Sequence, residues 1–272
     1  MSIDIIQIST ESGTFEARAA GPEDGRPVIL LHGFPQTSLQ WEHQLEALGA
    51  QGFRAVAPDQ RGYTPGVRPA EIADYAMPHL VEDVLRIADS LGWQEFDLVG
   101  HDWGCAVAWT TAITAPDRIR RLVPISIPHP AAFGQALLND PQQQANSAYF
   151  QLFRQPTPIP EDAILGGAFT KFQLPEAHAQ YYFERMSEPG VLTAMLNWYR
   201  AMGSMAETDE CTVPTLFIAS TDDTAVALSG IENTGKFVTA DYRLEVIQGG
   251  SHWLTEEHAE TVSSLILEHL GD

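Results

Sequence analysis

Gly100-His101-Asp102-Trp103-Gly104 sets one carboxylate between two glycines. Glycine at both ends lets a chain turn sharply and lets a following helix approach the preceding strand closely. The central side chain is then exposed at the carboxyl end of a sheet, on strained backbone. Nearby helix N-terminal dipoles favour its ionised form. A carboxylate that attacks an acyl carbon gives a high-energy anhydride, whereas attack on a saturated carbon gives an ordinary ester. Asp102 therefore suits displacement at sp³ carbon through a covalent alkyl-enzyme. As a bare five-residue pattern, the stretch fits a tight strand-to-helix turn with a capping aspartate equally well. Its surroundings must decide.

An ester of that kind needs an activated water to release the product. The chain has nine histidines. His252, in Gly250-Ser251-His252-Trp253, lies between the last strand signal and the last helix signal. Thr221-Asp222-Asp223-Thr224 follows the strand before it and offers two carboxylates, with room for one helix and one strand before His252. A carboxylate there would hold the imidazole tautomer and stabilise the imidazolium. His43, His79, His178, His258 and His269 read as surface or hydrogen-bonded residues, and His32 and His101 as packing beside the site.

The elements that position these groups alternate in kind. Ile3–Ile8 and Thr14–Ala19 read as an opening hairpin, and Pro27–Leu31 is a short apolar run, as in a strand buried on both faces. Helical periodicity over Trp41–Leu48 precedes a strand at Phe53–Ala57. In the helix at Pro78–Leu91, Leu80, Val84, Ile87, Ala88 and Leu91 form one stripe opposite Glu82, Asp83, Arg86 and Asp89. The strand Phe96–Val99 leads into the Asp102 turn. A helix at Cys105–Ala115, ended by Pro116, leads into a strand at Ile119–Ile127. Such alternation predicts an α/β fold, a mostly parallel sheet flanked by helices.

The pattern changes from Pro128 to about Cys211. The Pro141-Gln142-Gln143-Gln144 tract and Pro156, Pro158 and Pro160 interrupt the periodicity, while Tyr149, Phe150, Phe153, Tyr181, Tyr182, Phe183, Trp198 and Tyr199 cluster. This predicts a mainly helical insertion after the sixth strand, with helices at Ala177–Arg185 and Val191–Met202. The sheet resumes at Val213–Ala219 and Leu244–Ile247, and a last helix spans Thr255–Leu270. The expected organisation is a core domain of residues 1–127 and 212–272 and a helical cap domain of residues 128–211.

Composition narrows the partners. The chain of 272 residues is 44% hydrophobic and 19% charged, as in ordinary globular proteins. Its 15 Lys+Arg against 36 Asp+Glu give a net charge of −21, which repels phosphate backbones and anionic lipid surfaces. Neither nucleic acid nor a membrane is an expected partner. Cys105 and Cys211 form no disulfide framework and have no metal-ligand spacing to a histidine, so no metal site is expected. Met1–Thr10 lacks the basic and apolar regions of a secretory signal, and no run approaches the roughly 18 apolar residues of a membrane span. These features lead to the expectation of a cytoplasmic protein, with monomer and homodimer both open.

Three further motifs extend the picture along nearly the whole chain: His32-Gly33-Phe34-Pro35 after the third strand, Asp59-Gln60-Arg61-Gly62-Tyr63 after the fourth, and the His252 loop. With the Asp102 turn they resemble the α/β-hydrolase superfamily. The resemblance implies the chain order nucleophile, acid, base. It therefore implies Asp102 as nucleophile, His252 as base and Asp223, rather than Asp222, as the orienting acid. Backbone N–H groups of Phe34 and Trp103 would form the oxyanion hole. Most members carry serine at the position of Asp102, so esterase, lipase and peptidase chemistry is disfavoured.

The leaving group then decides the reaction. An epoxide alkoxide is strongly basic and needs a proton donor, for which a tyrosine hydroxyl is suited; a halide needs only N–H donors. The segments Ala148-Tyr149-Phe150-Gln151-Leu152-Phe153-Arg154-Gln155-Pro156 and Leu196-Asn197-Trp198-Tyr199-Arg200 resemble the cap of α/β-hydrolase-fold epoxide hydrolases. That resemblance implies Tyr149 and Tyr199 as the ring-opening pair, with Tyr181 and Tyr182 in reserve and Tyr63, Tyr75 and Tyr242 structural. Haloalkane dehalogenases share the Asp-Trp turn but often carry asparagine where Phe34 stands, and haloacetate dehalogenases commonly carry arginine in place of Trp103. Cys105 departs from the small residue usual in epoxide hydrolases and reads as a packing residue. The expected function is a cofactor-independent epoxide hydrolase acting on an apolar epoxide and water, in a pocket lined by Phe34, Trp103, Phe150, Phe153 and Trp198. A haloalkane dehalogenase is the alternative. A silent binding protein has no need of all these groups.

Overall fold

A computed structural model describes residues 2–168, 174–203 and 209–271. Strands β1 (Asp4–Thr10) and β2 (Gly13–Ala20) form the opening hairpin, followed by β3 (Arg26–Leu31), α1 (Glu42–Ala50), β4 (Phe53–Pro58), α2 (Met77–Ser90), β5 (Phe96–His101), α3 (Trp103–Thr114) and β6 (Ile119–Ile125). After β6 come α4 (Pro130–Asn139), α5 (Pro141–Asn146), α6 (Phe150–Phe153), α7 (Ile159–Ala163), α8 (Glu176–Ser187) and α9 (Val191–Arg200). The chain then adds β7 (Thr215–Ser220), α10 (Leu228–Asn233), β8 (Tyr242–Ile247), α11 (Leu254–Glu257) and α12 (Ala259–Gly271). The sheet has eight strands in the order β1-β2-β4-β3-β5-β6-β7-β8. β2 pairs antiparallel with β1 and β4, and the remaining strands are parallel. Helices cover both faces. Phe96, Leu98 and Trp109 lie in one apolar layer and Trp41, Val99 and Ile266 in the other, so the central strands read as continuous hydrophobic runs.

Several features differ from the sequence expectation for local reasons. α3 starts at Trp103, directly after Asp102, whose positive φ ends β5 and turns the chain at once. β6 stops at Ile125 because Ser126 has φ 74 and leaves the strand. His258 interrupts the last helix, dividing it into α11 and α12. The prolines of the insertion start helices rather than break them: Pro130, Pro141 and Pro160 occupy first-turn positions of α4, α5 and α7, where the missing N–H has no intrahelical partner to lose.

The insertion between β6 and β7 is mainly helical in its described residues; residues 169–173 and 204–208 of the expected cap lie outside them. Buried Gln143 ties it to the loop between β7 and α10, donating from Nε2 to the Ala225 carbonyl at 2.8 Å and accepting from the Ala227 N–H at 2.9 Å. Among the described residues, no helix is long and apolar enough to cross a membrane.

Candidate active site

Asp102 occupies the turn between β5 and α3 at φ 51 and ψ −121. Backbone of this kind costs a non-glycine residue about 1–3 kcal/mol and persists where surrounding structure enforces it. The glycines provide that enforcement. A Cβ at Gly104 would lie 2.1 Å from the Leu31 carbonyl oxygen, and one at Gly100 would lie 2.3 Å from the Gly104 oxygen. α3 thus packs against the sheet with no room for a side chain at either place. Gly33 plays the same part opposite, since its Cβ would meet the Asp102 Cβ at 2.3 Å. The approach brings the Phe34 N–H to Asp102 Oδ1, to which it donates at 2.8 Å. Trp103 opens α3, and its N–H belongs to the helix's first turn, whose amides lack intrahelical acceptors.

The Phe34 loop is itself pinned. Gln60 N–H donates to His32 Nε2 at 3.1 Å, which leaves the ring proton on Nδ1, 3.0 Å from the Gly33 carbonyl oxygen that accepts it. Gln60 Nε2 donates to the His32 carbonyl at 2.6 Å. Burial, outweighing the nearby Asp59 charge, lowers the His32 pKa and keeps the ring neutral. The Asp59-to-Tyr63 stretch therefore acts by supporting the Phe34 arm.

His252 and Asp223 meet at the sheet's carboxyl edge. His252 Nδ1–H donates to Asp223 Oδ2 at 2.9 Å, with Oδ1 at 3.1 Å, and its Nε2 faces Asp102 Oδ2 at 3.6 Å. Asp223 is buried and further held by the Ala225 N–H, which donates to Oδ1 at 2.7 Å. Asp222 is exposed and turned toward the Thr221 hydroxyl. Burial opposes the charged form of each group, yet the pairing outweighs it. The charge of His252 and hydrogen bonds from His252, Ser126 and Ala225 bring the Asp223 pKa down to about 2. For His252, burial is overcome by the charge of Asp223 and contacts with both carboxylates, which raise the pKa to about 10. Asp102 is likewise held below the usual carboxylate range, burial being offset by His252, the charge of His101 and the Phe34 N–H. His101 sits beside His252 with ring centroids 4.8 Å apart, donates from Nε2 to the His252 carbonyl at 2.8 Å, and is lowered to about 4, chiefly by burial.

The other wall comes from the insertion. Tyr149 immediately precedes α6, and Tyr199 belongs to α9; their ring centroids are 6.1 Å apart. A largely buried pair, Arg200 Nη2 to Glu161 Oε1 at 3.0 Å, joins α9 to α7. A cavity of about 280 Å³ is bordered by Phe34, Asp102, Tyr149, Phe153, Tyr199 and His252, with Asn146, Thr224, Ala225 and Trp253 completing it. A second space of about 40 Å³, bordered by Trp103, Phe133, Phe150 and Met202, shares Asp102, Tyr149, Tyr199 and Ala225 with the first. Both phenols are pushed to higher pKa, first by burial and then by neighbouring negative or phenolic groups, with Asp102 acting on both, so they remain protonated donors. A larger groove of about 930 Å³ bordered by Glu46, Glu257 and Glu260 is lined by none of Asp102, Asp223, His252, Tyr149 and Tyr199.

Trp198 corrects the sequence expectation: it borders neither cavity. Successive helix residues face different directions, so Tyr199 reaches the cavity while Trp198 packs behind Trp103 at 5.7 Å and donates from Nε1 to the Arg61 carbonyl at 2.9 Å. Tyr182, one of the reserve tyrosines, donates its hydroxyl to Glu256 at 2.9 Å; neither it nor Tyr181 borders the cavities. Cys105 lies beneath the turn, its thiol donating to the Ile127 carbonyl. Sequence reasoning missed Ser126, whose hydroxyl touches both Asp223 and His252. No sequence signal marked it, because the stretch Ile119–Ile127 reads as one strand and the end of β6 at Ile125 is seen only in the fold. Among the described residues, no group of three or more His, Cys, Asp and Glu side chains is arranged to hold a metal ion.

A family model described as the α/β hydrolase fold matches residues 26–259. The chain is 34% identical over 277 residues to the AB hydrolase superfamily protein YfhM of Bacillus subtilis (strain 168), covering 97% of this chain and 96% of that protein. It is 33% identical over 285 residues to epoxide hydrolase 4 of Mus musculus, covering 98% of this chain and 79% of the mouse protein. Among solved structures, one described as a novel epoxide hydrolase of the α/β-hydrolase superfamily from hot-environment metagenomes aligns at a TM-score of 0.91 and 27% identity, over 99% of both chains.

Proposed function

The chain belongs to the α/β-hydrolase fold family, and from that premise we propose that it is an epoxide hydrolase, adding water to an apolar epoxide to give a vicinal diol. One juxtaposition carries the reading: the Asp102 carboxylate and the Tyr149 and Tyr199 hydroxyl-bearing rings border the same two cavities. The relatives named as epoxide hydrolases support it. In this reading residues 128–211 act as a cap domain on a core of residues 1–127 and 212–272.

The epoxide oxygen accepts hydrogen bonds from Tyr149 and Tyr199 while Asp102 attacks a ring carbon from the opposite side. Phe34 occupies Oδ1, which leaves Oδ2 as the attacking oxygen. The C–O ring bond breaks, and a tyrosine proton passes to the departing alkoxide. The product of this step is an Asp102 ester. Water deprotonated by His252 then attacks the Asp102 carboxyl carbon, and the Phe34 and Trp103 N–H groups hold the tetrahedral oxyanion. Cleavage of the carbonyl carbon–Oδ2 bond releases the diol with that oxygen, which takes the second proton of the attacking water, and leaves Asp102 ionised and His252 protonated.

The electrostatics link the two steps. Asp102 is one of the charges that keep His252 protonated, and esterification removes that charge. His252 then gives up its proton more readily, reprotonating the tyrosinate through solvent and becoming the neutral base that hydrolysis needs. Removing a negative neighbour lowers a histidine pKa. Replacing Asp102 with alanine is therefore expected to bring the His252 titration well below about 10, as followed by NMR of the imidazole. An unchanged titration would contradict the coupling.

The phenol pair gives a separate expectation. Tyr199→Phe removes one donor to the alkoxide and is expected to slow ester formation by about 10²-fold, with Tyr149→Phe behaving similarly. Stopped-flow quenching of the active-site tryptophan would measure the step, and wild-type rates in both variants would exclude the pair. An engineered cavity of about 150 Å³ accepts benzene, so the larger cavity here, about 280 Å³, has room for a one-ring arm. Styrene oxide is the suitable first substrate: diol formation supports the assignment. Halide release from haloalkanes without diol formation would favour the dehalogenase alternative.

A further inference from the structure

We propose that Ser126 is a positioning residue for the second half-reaction, its hydroxyl locking Asp223 and His252 into the geometry in which the imidazole accepts a proton from water. The inference rests on the covalent reading above. Ser126 is 1% exposed, and Asp102 and Ser126 are the non-glycine residues with positive φ among the described residues. The Ile127 N–H donates to the Ile125 carbonyl across Ser126 at 3.0 Å, a three-residue turn that is rare and strained when its central φ is positive. Glycine adopts such backbone freely, so the turn itself gives no reason for serine.

The side chain supplies one. Ser126 Oγ donates to Asp223 Oδ2 at 2.7 Å and lies 3.1 Å from His252 Nδ1. Its proton goes to the carboxylate, so its lone pairs face the imidazole N–H, which the serine oxygen and Asp223 share. The Ser126 N–H, bonded to the Ile218 carbonyl at 2.9 Å, fixes the turn to the strand that leads to Asp223. Base and acid come from separate loops after β8 and β7, and Ser126 bridges them from the end of β6.

Because His252 deprotonates water only in the second step, the hydroxyl should matter there and little in ring opening. Rapid-quench mass spectrometry with styrene oxide separates the two rates. Ser126→Gly and Ser126→Ala are both expected to slow ester hydrolysis by at least about tenfold, the size expected for a hydrogen bond to a charged group, while ester formation stays within about threefold. Ser126→Gly is also expected to melt no lower than Ser126→Ala, since glycine suits the backbone. Wild-type hydrolysis in Ser126→Gly would overturn the proposal, as would equal slowing of both steps, which marks a general structural role. Absence of the ester from the wild-type protein would overturn the covalent reading, and this inference with it.

Discussion

Asp102→Ala is expected to lower turnover of an aromatic epoxide by at least about 10⁴-fold, in line with removal of other covalent nucleophiles. Among the described residues, no other carboxylate borders either cavity. The two phenols are held protonated, and Cys105, the nearest thiol in sequence, is buried with its proton directed to a backbone carbonyl. The fold should survive, because alanine relieves a buried charge and the glycines around the turn are untouched. Diol formation, followed by chromatography beside a thermal melt of the same sample, checks both halves. Turnover within about tenfold of wild type in a folded variant would remove Asp102 from the mechanism.

His252→Gln should have the second-largest effect and a different character. Glutamine cannot take the water proton, so ester hydrolysis is expected to slow by about 10²–10⁴-fold while Asp102 and both tyrosines still open the ring. The protein should then gain mass equal to that of the epoxide, on the peptide containing Asp102. Epoxide consumption with no such adduct would mean that water attacks the ring directly and that His252 serves some other step.

The parts of the site legible in the sequence are those that backbone geometry announces. Asp102 is flanked by glycines that nothing larger can replace, and His252 lies in a loop between a strand and a helix. Asp223 needed the family resemblance, because Asp222 beside it is the same residue type; burial separates them in the fold. Ser126 was not legible. A single serine has no periodicity, and an apolar stretch through Ile127 reads as strand until the turn at φ 74 is seen. Trp198 was misassigned because aromatic clustering in sequence does not say which face of a helix meets the cavity. The short helices of the insertion were obscured by their prolines, which signal a break when read in isolation and a first turn once the following residues are helical.

The most direct measurement is a single turnover of excess enzyme with epoxide in heavy-oxygen water. If Asp102 Oδ2 bonds to the ring carbon, the first diol released contains ordinary oxygen from the protein, and the heavy isotope appears in the Asp102 carboxylate. Diol fully labelled in that first turnover, with an unlabelled Asp102 peptide, would show that solvent attacked the epoxide directly and would contradict the account at its centre.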